Sequence, residues 1–128
     1  DDLTFDESGN PRSSDYLFMA GTEIFNFTLE AVPPLVNNTL EKNSLKKEDI
    51  SLFVFHQANK YIMNFLRKKI GIDEDKFFYC LQNVGNTVSS TIPIALREAW
   101  DQGILAGHVL LAGFGVGYSW GGVVLTTK

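Results

Sequence analysis

The sequence predicts an α/β protein: a layered mixed sheet with helices on its faces and an antiparallel strand pair at its C-terminal end. Two observations predict it. From about residue 21 onward, short apolar runs alternate with amphipathic stretches, the pattern that packs helices against a sheet. The last two apolar runs then follow each other with only a glycine-rich segment between them, as in a hairpin. Composition agrees with a packed fold, since 128 residues suit one compact domain and 45% of them are hydrophobic against 20% charged. Ten Phe, four Tyr and two Trp supply bulky core area.

Each element has its own signals. Residues 1–18 open with Asp6-Glu7-Ser8-Gly9-Asn10-Pro11 and read as a polar, turn-rich leading loop, with residues 19–128 forming the domain. Between Gly21 and Leu45, Phe25, Phe27 and Leu29 alternate as in a strand, while Ile24, Phe25, Thr28, Leu29 and Val32 fit a helical stripe. The expectation is a helix, a break at Pro33-Pro34, and a second helix through Leu35, Val36 and Leu40 that ends near Asn43. Ile50-Ser51-Leu52-Phe53-Val54-Phe55 reads as a buried strand. Ile62, Met63, Phe65, Leu66 and Ile70 mark a helix over residues 59–70, closed by Arg67-Lys68-Lys69 and Gly71. Phe77 to Leu81 predicts another strand, followed by the turn Asn83-Val84-Gly85-Asn86. Ser90 is expected to cap a helix running to about Gln102, with Pro93 in its permissive first turn and Gly103 closing it. Val109–Ala112 and Val123–Thr126 complete the sheet as a hairpin with a long glycine-rich loop.

Several function classes are disfavoured by residue counts. Eleven basic against fifteen acidic residues give a net charge of −4, so no overall basic field exists to grip nucleic acid. Cys80 is the single cysteine, so it forms no intramolecular disulfide, and with only His56 and His108 no closed zinc site of Cys and His ligands is expected. These counts suit a reducing, cytoplasmic setting. No stretch reaches the roughly 18 apolar residues that span a membrane, and residues 1–6 have neither the basic nor the apolar part of a secretion signal. The sequons at Asn26-Phe27-Thr28 and Asn37-Asn38-Thr39 are accordingly read as chance. Asp1 stands where an initiator methionine would, which suggests a processed product or a fragment.

Three places could carry chemistry. His56-Gln57-Ala58-Asn59 follows the first apolar run at a strand-to-helix corner, where His56 serves either as a structural histidine with Asn59 capping the helix or as a catalytic group. Gly85-Asn86-Thr87 occupies the next such corner, and as a bare tripeptide it reads first as a turn. If the two strands are parallel neighbours, about 5 Å apart, His56 and Asn86 reach one rim of the sheet and present two neutral hydrogen-bond donors, as an oxyanion requires. The run Gly113-Phe114-Gly115-Val116-Gly117-Tyr118-Ser119-Trp120-Gly121-Gly122 lacks dinucleotide-binding spacing, but its glycines permit close backbone approach. Cys80, among Phe77, Phe78, Tyr79 and Leu81, reads as packing, and so does His108.

Taken together, His56-Gln57-Ala58-Asn59, Gly85-Asn86-Thr87 and Gly115-Val116-Gly117-Tyr118-Ser119-Trp120-Gly121 resemble the C-terminal half of the 3-oxoacyl-acyl-carrier-protein synthase III family, from about Met19 to Thr126. The resemblance implies the C-terminal half of a thiolase-like fold and a decarboxylating Claisen condensation of an acyl-CoA primer with malonyl-acyl carrier protein in fatty acid biosynthesis, with no cofactor beyond these substrates. It implies catalytic roles for His56 and Asn86, an oxyanion-hole amide at Val116, a site wall at Phe114, and substrate contacts at Asn59, Gly21 and Phe25. Lys68 and Lys69 match basic positions that dock an acidic carrier protein, and equally suit a solvated helix end. The family's nucleophilic cysteine belongs to an N-terminal half that this chain lacks, and Cys80 sits on the wrong strand to replace it. The resemblance therefore implies a piece of a longer, homodimeric enzyme that is inactive alone.

Two departures stand out: Val116 where the family commonly has a third glycine, and Tyr61 where it commonly has a basic residue. Type III polyketide synthases and other thiolase-fold acyltransferases also pair His with Asn. A non-catalytic module that docks a carrier protein or a separate catalytic subunit is the reading from a different class.

Overall fold

The structure is a computed structural model that describes residues 3–13, 21–80, 90–115 and 118–127. Strands β1 (Thr4–Phe5) and β2 (Pro11–Arg12) pair antiparallel, so the leading segment holds a small hairpin where a plain loop was predicted. Its turn is built by Asp6, whose carboxylate accepts from the amides of Ser8 and Asn10 at 3.0 and 2.9 Å.

Helix α1 (Gly21–Lys42) runs unbroken through Pro33 and Pro34, against the predicted break. A proline at position i leaves the carbonyl at i−4 without its partner, here those of Leu29 and Glu30. Lys69 Nζ donates to the Leu29 carbonyl at 3.3 Å, and Glu30 lies on the exposed side of the helix. Along the inner stripe Val32, Val36 and Leu40 are buried, while Thr28 and Thr39 satisfy their hydroxyls on the carbonyls of Ile24 and Leu35. The helix ends in a Schellman turn with Ser44 left-handed at φ 55°: Leu45 N donates to Leu40 O at 2.9 Å and Ser44 N to Glu41 O at 3.0 Å.

A single 3₁₀ turn (Lys47–Asp49) leads into β3 (Ile50–Phe55), as predicted. Asn59 caps α2 (Lys60–Ile70) by accepting from Ile62 N at 2.9 Å, and Gly71 closes it at φ 82°. Among the described residues of the predicted 77–81 strand, Phe77 bridges β3 in parallel opposite Phe53 and Phe78 N donates to Phe53 O at 3.1 Å. Helix α3 (Thr91–Asp101) holds Pro93 in its first turn and is followed by Gly103 at φ 73°. Ser90, expected as its cap, already has helical backbone angles and makes no capping bond through its side chain.

Strands β4 (His108–Gly115) and β5 (Ser119–Thr126) form an antiparallel hairpin whose register runs out to Gly115 opposite Ser119. The long loop predicted here is instead mostly ladder. At Gly122 a Cβ would stand 2.5 Å from Thr39 Oγ1, so glycine there lets α1 lie directly on the strand. The sheet order is β3-β4-β5, with β3 and β4 parallel. Alternate residues face opposite layers. Phe53, Phe55, Leu110 and Ala112 pack with α1 and α2, while Leu52, Val54 and Val109 pack with Ala95 and Ala99 of α3. This places α1 and α2 on one face and α3 on the other, and the C-terminal ends of β3 and β4 at one rim.

Candidate active site at the sheet rim

His56 leaves the end of β3 with its backbone still tied to the neighbouring strand, donating from N to Ala112 O at 2.8 Å. Its ring meets the Phe114 ring edge to face, with centroids 5.3 Å apart at 86°. Its Nδ1 lies 2.6 Å from Oγ1 of Thr91, the buried first residue of α3. Half-burial holds the imidazole below its ordinary pKa of 6.5, because taking charge out of water disfavours the protonated form. The result is a neutral, oriented imidazole at the mouth of the rim.

Gln57 is fully buried and supplies what the missing strand cannot. Its Nε2 donates to Phe55 O at 2.8 Å and Phe78 O at 3.4 Å, and its Oε1 accepts from Cys80 N at 3.0 Å. With Phe77 opposite Phe53, Phe55 stands opposite Tyr79, and the Gln57 carboxamide is inserted between the Phe55 carbonyl and the Cys80 amide, bonding to both. Cys80, beside Gln57, and Thr91, against His56, flank residues 81–89. Both flanks are thus anchored at the rim that carries His56.

Of the other predicted residues, Phe114 is buried and touches His56. Asn86 and Val116, with Gly85 and Thr87, lie outside the described residues. Asn59 is exposed, with its oxygen committed to the α2 cap. Gly21 is the first residue of α1, and Phe25, one turn later, stacks on Tyr61 with centroids 6.1 Å apart at 26°. Lys68 and Lys69 are exposed at the end of α2, but Lys69 also serves the proline-freed carbonyl of α1. Cys80 is buried, and burial raises its thiol pKa, which makes it a poor nucleophile. A groove of about 610 Å³ between α1 and β5, lined by residues including Asn38, Lys42 and Trp120, contains none of the predicted site residues. Thr91 and Gln57 were not foreseen as parts of the site; the one signal available was that a Thr opens the helix following the Asn86 corner.

Three layers and a rim bearing a histidine on a parallel strand define the C-terminal half of a thiolase-like fold. A solved 3-oxoacyl-(acyl-carrier-protein) synthase III superposes on 98% of this chain with a TM-score of 0.91 and 42% identity, the match covering 38% of that chain. The chain belongs to the family described as 3-oxoacyl-[acyl-carrier-protein (ACP)] synthase III C terminal, which matches residues 40–127. It is similar to beta-ketoacyl-[acyl-carrier-protein] synthase III of Clostridium acetobutylicum, with 41% identity over 122 residues, and to that of Clostridium perfringens, with 39% over 121. These matches cover 94% and 93% of this chain but only 37% of each relative, so the chain spans little more than a third of the proteins it resembles. Among the described residues, no helix is long and apolar enough to cross a membrane.

Proposed function

We propose that this chain is the donor-bearing half of a condensing enzyme that joins an acyl-CoA primer to malonyl-acyl carrier protein. The observation that carries the reading is His56: neutral through burial, braced by Thr91 and Phe114, and standing at the strand rim of a family defined by that reaction. A neutral imidazole donates a hydrogen bond to developing negative charge without bringing a cation of its own.

In this reading a cysteine thiolate from the other half attacks the thioester carbonyl of acyl-CoA, and the CoA thiolate leaves. Malonyl-carrier protein then loses carbon dioxide, and the electron pair of the broken bond passes into an enolate whose oxygen His56 and Asn86 hold. The enolate carbon attacks the acyl-cysteine, the amide at Val116 stabilises the resulting oxyanion, and the cysteine thiolate departs from the 3-oxoacyl product. Phe114 walls the site, Asn59, Gly21 and Phe25 line the approach of the substrate arm, and Lys68 with Lys69 meets the acidic carrier. The parent protein is taken to be a cytoplasmic homodimer that uses no further cofactor.

The test is made on the native gene product, by intact mass and product analysis with acyl-CoA and malonyl-carrier protein. One acyl group should add to the wild type and to His56→Ala alike, while the variant loses condensation. A native product of 14.3 kDa that takes up no acyl group would overturn the enzyme reading and leave a docking module. A multiply extended polyketide would move the protein to another condensing class.

A further inference from the structure

We infer that Thr91 is the positioning residue of the site: its hydroxyl donates to Nδ1 of His56 and so keeps the imidazole proton on Nε2, the nitrogen that faces away from the helix. The inference rests on the proposed condensation for its consequence but not for its geometry. The Oγ1–Nδ1 separation is 2.6 Å, and Thr91 is 2% exposed, so its hydroxyl is shielded from water and has the half-buried imidazole as its neighbour. The helix that carries Thr91 is itself fixed, since Ala95 and Ala99 one and two turns later are wholly buried against β3 and β4. A β-branched side chain at the start of such a helix has few rotamers left, which makes its oxygen a stationary partner.

The histidine has correspondingly little freedom. Its backbone is bonded to Ala112 and its ring is held edge to face by Phe114. What remains open is the placing of one proton, and in a neutral imidazole that is decided by the bond the other nitrogen makes. A hydroxyl can act either way. If Thr91 donates, Nδ1 is the acceptor and Nε2–H becomes a donor for an enolate oxygen. If Thr91 accepts, the proton moves to Nδ1 and Nε2 becomes a lone pair, which would repel that oxygen. One hydroxyl hydrogen therefore decides whether the site has one of its two oxyanion donors.

The test is ¹⁵N-histidine NMR on the native gene product, with Thr91→Val, which keeps the shape and removes the hydroxyl, and Thr91→Ser, which keeps the hydroxyl. The wild type and Thr91→Ser should show His56 with a bare Nδ1 and a protonated Nε2, whereas Thr91→Val should show a mixture of the two forms. In the condensation assay Thr91→Val should lose roughly tenfold in kcat, about one hydrogen bond's worth, with KM for the primer unchanged and with Thr91→Ser restoring the rate. A wild-type His56 protonated at Nδ1, or a Thr91→Val spectrum identical to wild type, would overturn the inference. If Thr91→Val does not fold, the wild-type and Thr91→Ser spectra still decide it. Absence of condensation in the wild type would refute the proposed function and leave the tautomer result standing, so the two failures are distinguishable.

Discussion

Replacing Gln57 with alanine should loosen the rim from inside. Three bonds are lost, two at ordinary length and one long: to Phe55 O at 2.8 Å, from Cys80 N at 3.0 Å and to Phe78 O at 3.4 Å. The Cys80 amide is left buried without a partner, which costs roughly 1–3 kcal/mol, and each carbonyl adds about 1 kcal/mol because it keeps a second lone pair for other contacts. A destabilisation of about 3–5 kcal/mol follows, in the range reserved for broken buried networks. In urea, with a slope of about 1–3 kcal/mol per molar, the midpoint should fall by about 2 M at constant slope. Amide exchange at Cys80 should accelerate before global unfolding is reached. Gln57→Glu is the sharper variant. It keeps the acceptor for Cys80 but turns a carboxylate toward two carbonyls, so it should be as damaging at neutral pH and recover partly on acidification, when an O–H donor returns. A shift under about 0.5 kcal/mol for Gln57→Ala, the size of a surface change, would refute the claim that the carboxamide substitutes for a strand ladder.

Three further outcomes are expected. Pro33→Ala should raise thermal stability by about 1–3 kcal/mol, since an interior proline costs about 3 kcal/mol against alanine and Lys69 recovers only part of it; an unchanged or lower Tm would contradict this. The NMR titration midpoint of His56 should lie below 6.5, and because the unfolded chain takes up that proton first, the stability it contributes is complete above pH 6.5 and is lost as pH falls toward the folded midpoint; a midpoint above 6.5 would reverse the sign. Cys80 should resist a thiol reagent in the folded protein at neutral pH and react promptly in urea, and prompt labelling without denaturant would mean that its buried setting is wrong.

Where the sequence was legible, one signal dominated locally. Apart from the exposed Ser51, Ile50–Phe55 is apolar because β3 is covered on both faces, and Arg67-Lys68-Lys69 with Gly71 marks the end of α2 because charge and left-handed freedom act within one turn. Where it misled, a distant partner overrode the local rule. The two prolines predicted a break in α1, but the carbonyl freed by Pro33 is met by Lys69, forty positions on and on another helix. The glycines of the last segment predicted a loop, yet Gly122 is there because α1 lies on the strand, a contact that no spacing within the segment reveals. Residues 77–80 of the expected strand keep their alternation, with Phe77 on one face and Phe78 and Cys80 on the other, but after the bridge to Phe53 the Cys80 amide is met by a side chain.

The site divides in the same way. At His56 the local residues left a structural and a catalytic reading equally open, and the resemblance alone singled out His56 and Phe114, which the fold brings into ring contact. Gln57 sits beside His56 in the chain, yet nothing in the run His56-Gln57-Ala58-Asn59 distinguishes a side chain aimed at substrate from one aimed into the protein. The fold decides it, sending Gln57 inward to hold residues 78–80 and leaving His56 at the rim. Thr91 is thirty-five residues from His56 and lies in a helix start that reads as ordinary capping sequence. Ser90 holds the cap position without a side-chain bond, and the Thr91 hydroxyl meets the histidine. The helix begins at Thr91, as a cap at Ser90 implies, so what the sequence could not show is which way the Thr91 hydroxyl faces: the seating of Ala95 and Ala99 on β3 and β4 sets the rotation of the helix, and with it the contact between Thr91 and His56.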